Sequence, residues 1–328
     1  MIQDPKDLPK VSVCLITYNH EKFIAQAIES VLMQKTDFDV EFIIGEDDSL
    51  DNTRSIVKGY KDRYPDKIKL FLNDRKDSIY VDGEKTGNRN FINNIEHARG
   101  KYIALLDGDD YWTSAHKLQR QADFLDSHPE CAICYHDTMV VYEDGRQKNY
   151  PGSKQKEIAT LEDLFIRGSY FCTCSTMLRA GLFGKLPGWF STLSMLDWPL
   201  NILNAQHGAM GYINEIMGTY RVHSEGAWSR LTPERRVERQ IQTYKHMDAS
   251  LNFEHKRKLV KIGIARCHYT FTLVYENGNQ LAKARMYALK YAIEHFFLYK
   301  HISHRQLFEM LLRLWAPPLY KLIRTLKK

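Results

Sequence analysis

No uninterrupted apolar stretch of this chain reaches the ~18 to 20 residues that a membrane-spanning helix needs, so no transmembrane segment is expected. Met1 to Lys10 is polar and charged, without the apolar centre of a signal peptide. The expected location is therefore cytoplasmic. Cysteine is scarce: Cys14, Cys131, Cys134, Cys172, Cys174 and Cys267 are the only six in 328 residues. That is too few for a disulfide framework at this length, and it fits a reducing compartment. Cys131 and Cys134 have zinc-knuckle spacing, but they lie in a run, Cys131 to Val141, that reads as a strand. Alternation along a strand predicts thiols facing opposite ways, as core cysteines. Glycine is missing between Val11 and Gly45, where a nucleotidyltransferase would carry a glycine-rich loop after its first strand. The net charge of +6 is modest, and no basic stripe interleaved with aromatics marks the first domain, which argues against nucleic acid as a partner.

What is present points to a packed α/β protein. Hydrophobic residues make up 44% and charged residues 26%, and the length predicts about two domains. Val11 to Tyr18 is a nearly continuous apolar run, as in a strand buried on both faces of a parallel sheet. Phe23, Ile24, Ala27, Ile28, Val31 and Leu32 follow at helical spacing. Val40 to Ile44 reads as a second strand, Ile56 to Tyr64 as a helix closed by Pro65, and Ile68 to Leu72 as a third strand. Phe91, Ile92 and Ile95 mark a helix for which Gly100 is the expected left-handed cap. Tyr102 to Leu106 is then a buried strand running into Asp107-Gly108-Asp109-Asp110. Polar residues thus follow three strands in turn, at Thr17-Tyr18-Asn19, Glu46-Asp47-Asp48 and Asp107 to Asp110, where ligands of parallel sheets collect.

Further along, Leu161 to Ile166 reads as a short helix and Thr173 to Leu178 as a strand. A helix is expected from Asp197 to His207, and a strand from Tyr212 to Tyr220. From Pro233 the texture becomes long helical segments without an array-like repeat. The expected division is 1–230 and a helical domain, 231–328. In the latter, Leu281, Ala284, Ala288, Tyr291 and Ala292 form a face suited to close helix pairing. After Pro317-Pro318, Leu319, Leu322, Ile323 and Leu326 interleave with Lys321, Arg324, Lys327 and Lys328. This segment reads either as a terminal helix packed on its own protein or as a basic amphipathic foot on an anionic membrane.

The acidic cluster carries the chemistry. Three carboxylates after one buried strand repel one another unless a cation or a donor network compensates. Oxygen ligands of this kind suit Mg²⁺ or Mn²⁺ bound together with substrate phosphates. The plainer reading is an acidic loop capping the next helix.

The order of motifs resembles the family 2 glycosyltransferases, enzymes of the GT-A fold. The resemblance is carried by VSVCLITYN at 11–19, GEDDSLDNT at 45–53, NRN at 88–90, GKYIALLDGDDYW at 100–112, LDWPL at 196–200 and GTYRVH at 218–223. It implies a Rossmann-like, mostly parallel sheet in 1–230, with the C-terminal helices as an extension. It also implies an inverting, metal-dependent transfer from a nucleotide-sugar, a UDP-sugar by family tendency, to a glycan or lipid-linked acceptor at the inner face of the cytoplasmic membrane. By the same resemblance Thr17, Tyr18 and Asn19 lie against the base and ribose, with Glu21 near the ribose hydroxyls. Asp47 accepts the uracil imide hydrogen, although the run Glu46-Asp47-Asp48-Ser49 leaves Asp48 as an alternative. Arg89 approaches the base or phosphates, Asp107 and Gly108 adjoin the ribose, and Asp109 holds Mn²⁺ or Mg²⁺. His223 completes the metal shell or is a plain hydrogen-bonding residue. Asp197 stands in the place of the catalytic base, which takes the acceptor's proton during attack, or simply caps its helix. A non-catalytic nucleotide-sugar-binding protein, or a scaffold that uses the helical tail for assembly, is the reading from another class. A binder would need Asp109 but not Asp197.

Overall fold

The computed structural model describes residues 8–152, 155–168, 170–250, 257–298 and 304–326. In chain order the elements are β1 (Val11–Thr17), α1 (Ile24–Leu32), β2 (Val40–Glu46), α2 (Thr53–Arg63), β3 (Ile68–Leu72), β4 (Tyr80–Val81), β5 (Glu84–Lys85), α3 (Asn88–His97), β6 (Tyr102–Asp107), β7 (Tyr111–Trp112), α4 (Lys117–Ser127) and β8 (Cys131–Tyr142). There follow β9 (Gln147–Tyr150), β10 (Ile158–Ala159), α5 (Leu161–Arg167), β11 (Met177–Arg179), α6 (Asp197–Ala205), β12 (Ala209–Val222), α7 (Pro233–Ser250), α8 (Arg257–Asn277), α9 (Leu281–Leu298), α10 (His304–Trp315) and α11 (Pro317–Leu326).

One sheet runs β10-β12-β8-β11-β6-β1-β2-β3, with β7 added to β12 and β9 to β8. The half from β6 to β3 is parallel throughout. Helices α1 and α2 make the crossovers, as expected for apolar strands alternating with amphipathic helices. Helix α1 buries Ile24, Ala27, Ile28 and Val31, which are the i, i+3, i+4, i+7 positions of one face. Beyond β6 the order reverses through antiparallel β11 to β8 and β12, themselves a parallel pair. The carboxyl ends of β1 and β6 therefore open at a topological switch point, the place where such sheets bind ligands.

Helix α3 is fixed to the sheet by amides as well as apolar contacts. Asn90 Nδ2 donates to Gly45 O at 2.8 Å, and Asn94 Nδ2 to Leu15 O at 2.9 Å. Asn88 Nδ2 donates to Ser191 O and Leu193 O. Gly45 makes room for these amides, since a Cβ would lie 1.8 Å from Asn90 Oδ1 and force that side chain to move.

Four local expectations change. Gly100 is not a left-handed cap, for it is absent from the positive-φ residues, and the helix ends at Ala98 in extended geometry. Its constraint is proximity: a Cβ would stand 2.5 Å from Ser12 N. Thr173 to Ser175 forms a 3-10 turn closed by Ser175 N to Cys172 O, and β11 starts only at Met177. Cys131 and Cys134 share one apolar core cluster. A register shift of β8 against β12 just after Cys131 breaks the strict alternation. The exposed Leu281 leaves the helix-pairing face of α9 to Ala284, Ala288 and Tyr291.

The chain divides into two compact units, residues 1–161 with 169–230, and residues 162–168 with 231–328. In the second, Phe165 of α5 packs on Tyr244 with ring centres 5.5 Å apart. Gly263 of α8 admits the same Tyr244, whose Cζ would lie 2.1 Å from a Cβ. Leu319 and Leu322 of α11 are exposed, as are the neighbouring Lys321 and Arg324, whereas Lys327 and Lys328 fall outside the described residues. Among the described residues no helix is long and apolar enough to cross a membrane.

Candidate active site

At the ends of β1 and β2 two loops are laced together. Asn19 and Asp48 both take positive φ, +55° and +57°, a region that asparagine and aspartate enter more readily than most residues. Asn19 N donates to Ser49 Oγ at 2.9 Å, and Asn19 Oδ1 accepts from Leu50 N at 2.8 Å. Glu21 Oε2 accepts from Asn52 N and Nδ2, while Glu21 N donates to Asp51 Oδ2. Asn19 and Glu21 thus hold the loops in place. Thr17 is buried, with Oγ1 3.2 Å from His20 Nδ1. Buried Glu46 pairs with Arg54, which also meets Asp48 at 3.1 Å. Asp47 is buried beside Lys85, whose Nζ is 3.5 Å from Oδ2 and 4.9 Å from the centre of the Tyr18 ring. Burial raises the Asp47 carboxyl above its usual range, against the pull of Lys85. Arg89 is exposed in the first turn of α3.

The acidic cluster follows β6. Gly108 N donates to Ile16 O at 2.8 Å, and a Cβ at Gly108 would come within 2.6 Å of Thr17 Oγ1 and 2.8 Å of His20 Nδ1. Only glycine lets β6 end this close to β1. Asp110 is fully buried and accepts Arg221 N at 2.9 Å. Arg221 also donates to Asp109 O, so this part of the cluster is tied to β12. The carboxylate of Asp109 meets two imidazoles: Oδ2 is 3.1 Å from His223 Nε2 and 3.7 Å from His20 Nε2. Asp197 opens α6, and its Oδ2 accepts Thr173 Oγ1 at 3.0 Å.

Charge is distributed unevenly among these carboxylates. Burial, followed by the charges of Asp109 and Asp197, drives Asp107 well above the ordinary range. Burial also raises Asp197. Burial works against Asp109 too, but its histidine partners outweigh it and hold that carboxyl low. The hydrogen bond to Asp109 raises His223, whereas burial lowers His20. The donor set suits a divalent cation of the Mn²⁺ or Mg²⁺ type: an ionised oxygen and an imidazole nitrogen side by side, with unneutralised acid behind them. Among the described residues no group of three or more His, Cys, Asp or Glu side chains is arranged to hold a metal ion.

Sequence reading passed over His20, Lys85, Thr173 and Arg221. Asp82-Gly83 was the available signal for Lys85. Both residues have positive φ, turning the β4–β5 hairpin as Asp-Gly commonly does. His20 and Thr173 act through neighbours remote in sequence, and no local pattern marks them.

The glycosyl transferase family 2 model matches residues 12–186. The chain belongs to this family. An uncharacterised Mycobacterium tuberculosis protein, Rv1520, is 32% identical over 227 residues, 69% of this chain and 62% of that protein. Less than two thirds of that relative's length is therefore spanned. The Escherichia coli UDP-Glc:alpha-D-GlcNAc-diphosphoundecaprenol beta-1,3-glucosyltransferase WfgD is 38% identical over 115 residues, 35% of this chain and 40% of that one. Among solved structures, S. aureus TarS residues 1–349 in complex with UDP-GlcNAc superposes with a TM-score of 0.58 at 20% identity, covering 90% of this chain and 82% of that chain. At that identity the likeness speaks for the fold, and as a family 2 chain this protein has the GT-A fold.

Proposed function

We propose that this family 2 chain transfers a sugar from a nucleoside-diphosphate sugar, with uridine as the base, to a hydroxyl of a glycan or lipid-linked acceptor. The observation that carries this reading is the gathering of Asp107, Asp109 and Asp197 at one end of the parallel strands, with an imidazole on Asp109. WfgD, by its name, uses UDP-glucose and a diphosphoundecaprenol-linked sugar, and TarS has been solved with UDP-GlcNAc. Both support the donor class.

Asp109 and His223 would hold Mn²⁺ or Mg²⁺, which when bound neutralises charge developing on the departing diphosphate. Thr17, Tyr18 and Asp47 line the base side, and Asp107 and Gly108 the ribose side. Asp48 pairs with Arg54 and Asp47 with Lys85; we take Asp47 as the base reader, as the family resemblance implies, with Asp48 the alternative. Asp197 accepts the proton of the attacking hydroxyl, and its raised affinity for a proton suits that task. Attack opposite the leaving group inverts the anomeric carbon. We assign catalysis to residues 1–230 and membrane attachment to the C-terminal helices, where 231–328 hold 19 lysines and arginines against 7 acidic residues, a net of +12. Residues 1–230 hold 27 against 33, a net of −6.

Calorimetry with UDP, with and without Mn²⁺, in the natural sequence and in Asp109→Ala, tests the donor reading. Metal-dependent binding that disappears in the variant is the expected result. Absence of binding by UDP, GDP and TDP alike would leave the scaffold reading in its place.

A further inference from the structure

Lys85 is held more firmly than a surface lysine. Its Nζ lies 3.2 Å from Asp47 O and 3.5 Å from Asp47 Oδ2, and 4.9 Å from the centre of the Tyr18 ring. The hairpin that carries it is closed by Thr86 N and Thr86 Oγ1, both donating to Ile79 O. The Lys85 side chain is 16% exposed and that of Asp47 6%, so the pair is largely shielded from bulk water, where such contacts gain strength. An ammonium has three N–H groups. Two can serve Asp47, and a ligand lying against Tyr18 would meet the third.

We propose that Lys85 is a base-specificity residue, acting with Asp47 as a donor and acceptor pair for the ring edge of the nucleotide. This rests on the nucleoside-diphosphate-sugar reading above. Asp47 accepts a ring N–H, and Lys85 donates to the carbonyl oxygen beside it. Uracil and guanine both present an N–H next to a carbonyl. Cytosine and adenine present the reverse, a bare ring nitrogen next to an amino group. The bare nitrogen would face the Asp47 carboxylate, and the amino group would face an ammonium.

The test is calorimetric titration of UDP, GDP, CDP and ADP in Mn²⁺ against the natural chain, Lys85→Met and Lys85→Arg. The natural chain should bind UDP or GDP at least about a hundredfold more tightly than CDP or ADP, as buried polar groups reject a mismatched partner. Lys85→Met should weaken binding of the preferred nucleotide about tenfold, the scale of one charge-assisted hydrogen bond, and narrow its margin over CDP. Lys85→Arg should restore much of both. A purely structural hairpin lysine would weaken all four nucleotides alike with the margin intact, and that result overturns the proposal. So does Lys85→Met binding as the natural chain does. Failure of the natural chain to bind any of the four removes the nucleotide reading itself, and this inference with it.

Discussion

Asp197 combines two demands that conflict. Its burial raises the carboxyl's affinity for a proton, which strengthens it as a base and costs the fold stability once it ionises. A carboxyl raised in the folded state contributes most at acid pH, and that contribution falls as pH rises through the raised folded value. Asp197→Asn should keep an acceptor oxygen for Thr173 while removing the buried charge. Two outcomes are expected. Turnover should fall about 10²- to 10⁴-fold, the usual worth of general-base assistance. The melting temperature should rise at pH 7, with the gain shrinking toward acid pH, where the natural carboxyl is also neutral. Melting curves across pH together with sugar-transfer assays check both. A variant that loses activity and stability together at pH 7 would make Asp197 a structural cap instead. At this scale Asp107 and Asp109 stood out in the sequence as acidic residues after an apolar strand, whereas Asp197 and His223 were singled out only by the resemblance to the family. Their partners were not legible: the approach of His20 to Asp109 and of Thr173 to Asp197 depends on how the chain returns.

Among elements, α3 and β2 meet most closely at Gly45. Gly45→Ala would place a methyl group where Asn90 Oδ1 now sits, breaking the Asn90 bond or lifting the helix. Overpacking of this kind costs about 1–3 kcal/mol, and the variant should melt several degrees lower in a thermal scan. Adding Asn90→Ala should recover part of that loss, as expected of two residues that share one space. The sequence predicted both elements from their periodicity but gave no reason for the glycine. Gly100 shows the same limit: a glycine after a helix suggests a left-handed cap, yet here it makes room for Ser12. Thr173 to Leu178 failed differently. Its mixed polar and apolar order suits a strand, while the chain spends its first residues in a tight turn that brings Thr173 to Asp197. The β4–β5 hairpin had its signal in Asp82-Gly83, but two-residue strands carry too little periodicity to draw notice.

For the whole molecule the uneven distribution of charge makes membrane attachment testable. The full chain should co-sediment with vesicles containing phosphatidylglycerol and not with phosphatidylcholine alone. Raising salt should release it, because screening shortens the reach of the exposed lysines and arginines. Lys321→Glu with Arg324→Glu should weaken vesicle binding at least about thirtyfold, at ~1 kcal/mol for each basic residue near such a surface. Unchanged sedimentation in the double variant would relocate or remove that contact. The same distribution governs the protein in solution without any membrane. Its overall isoelectric point of about 8.8 averages a negative stretch with a positive one. At that pH the chain behaves as a macromolecular zwitterion. Unlike stretches of separate copies attract one another in dilute buffer, so solubility near the isoelectric point should increase as salt is added.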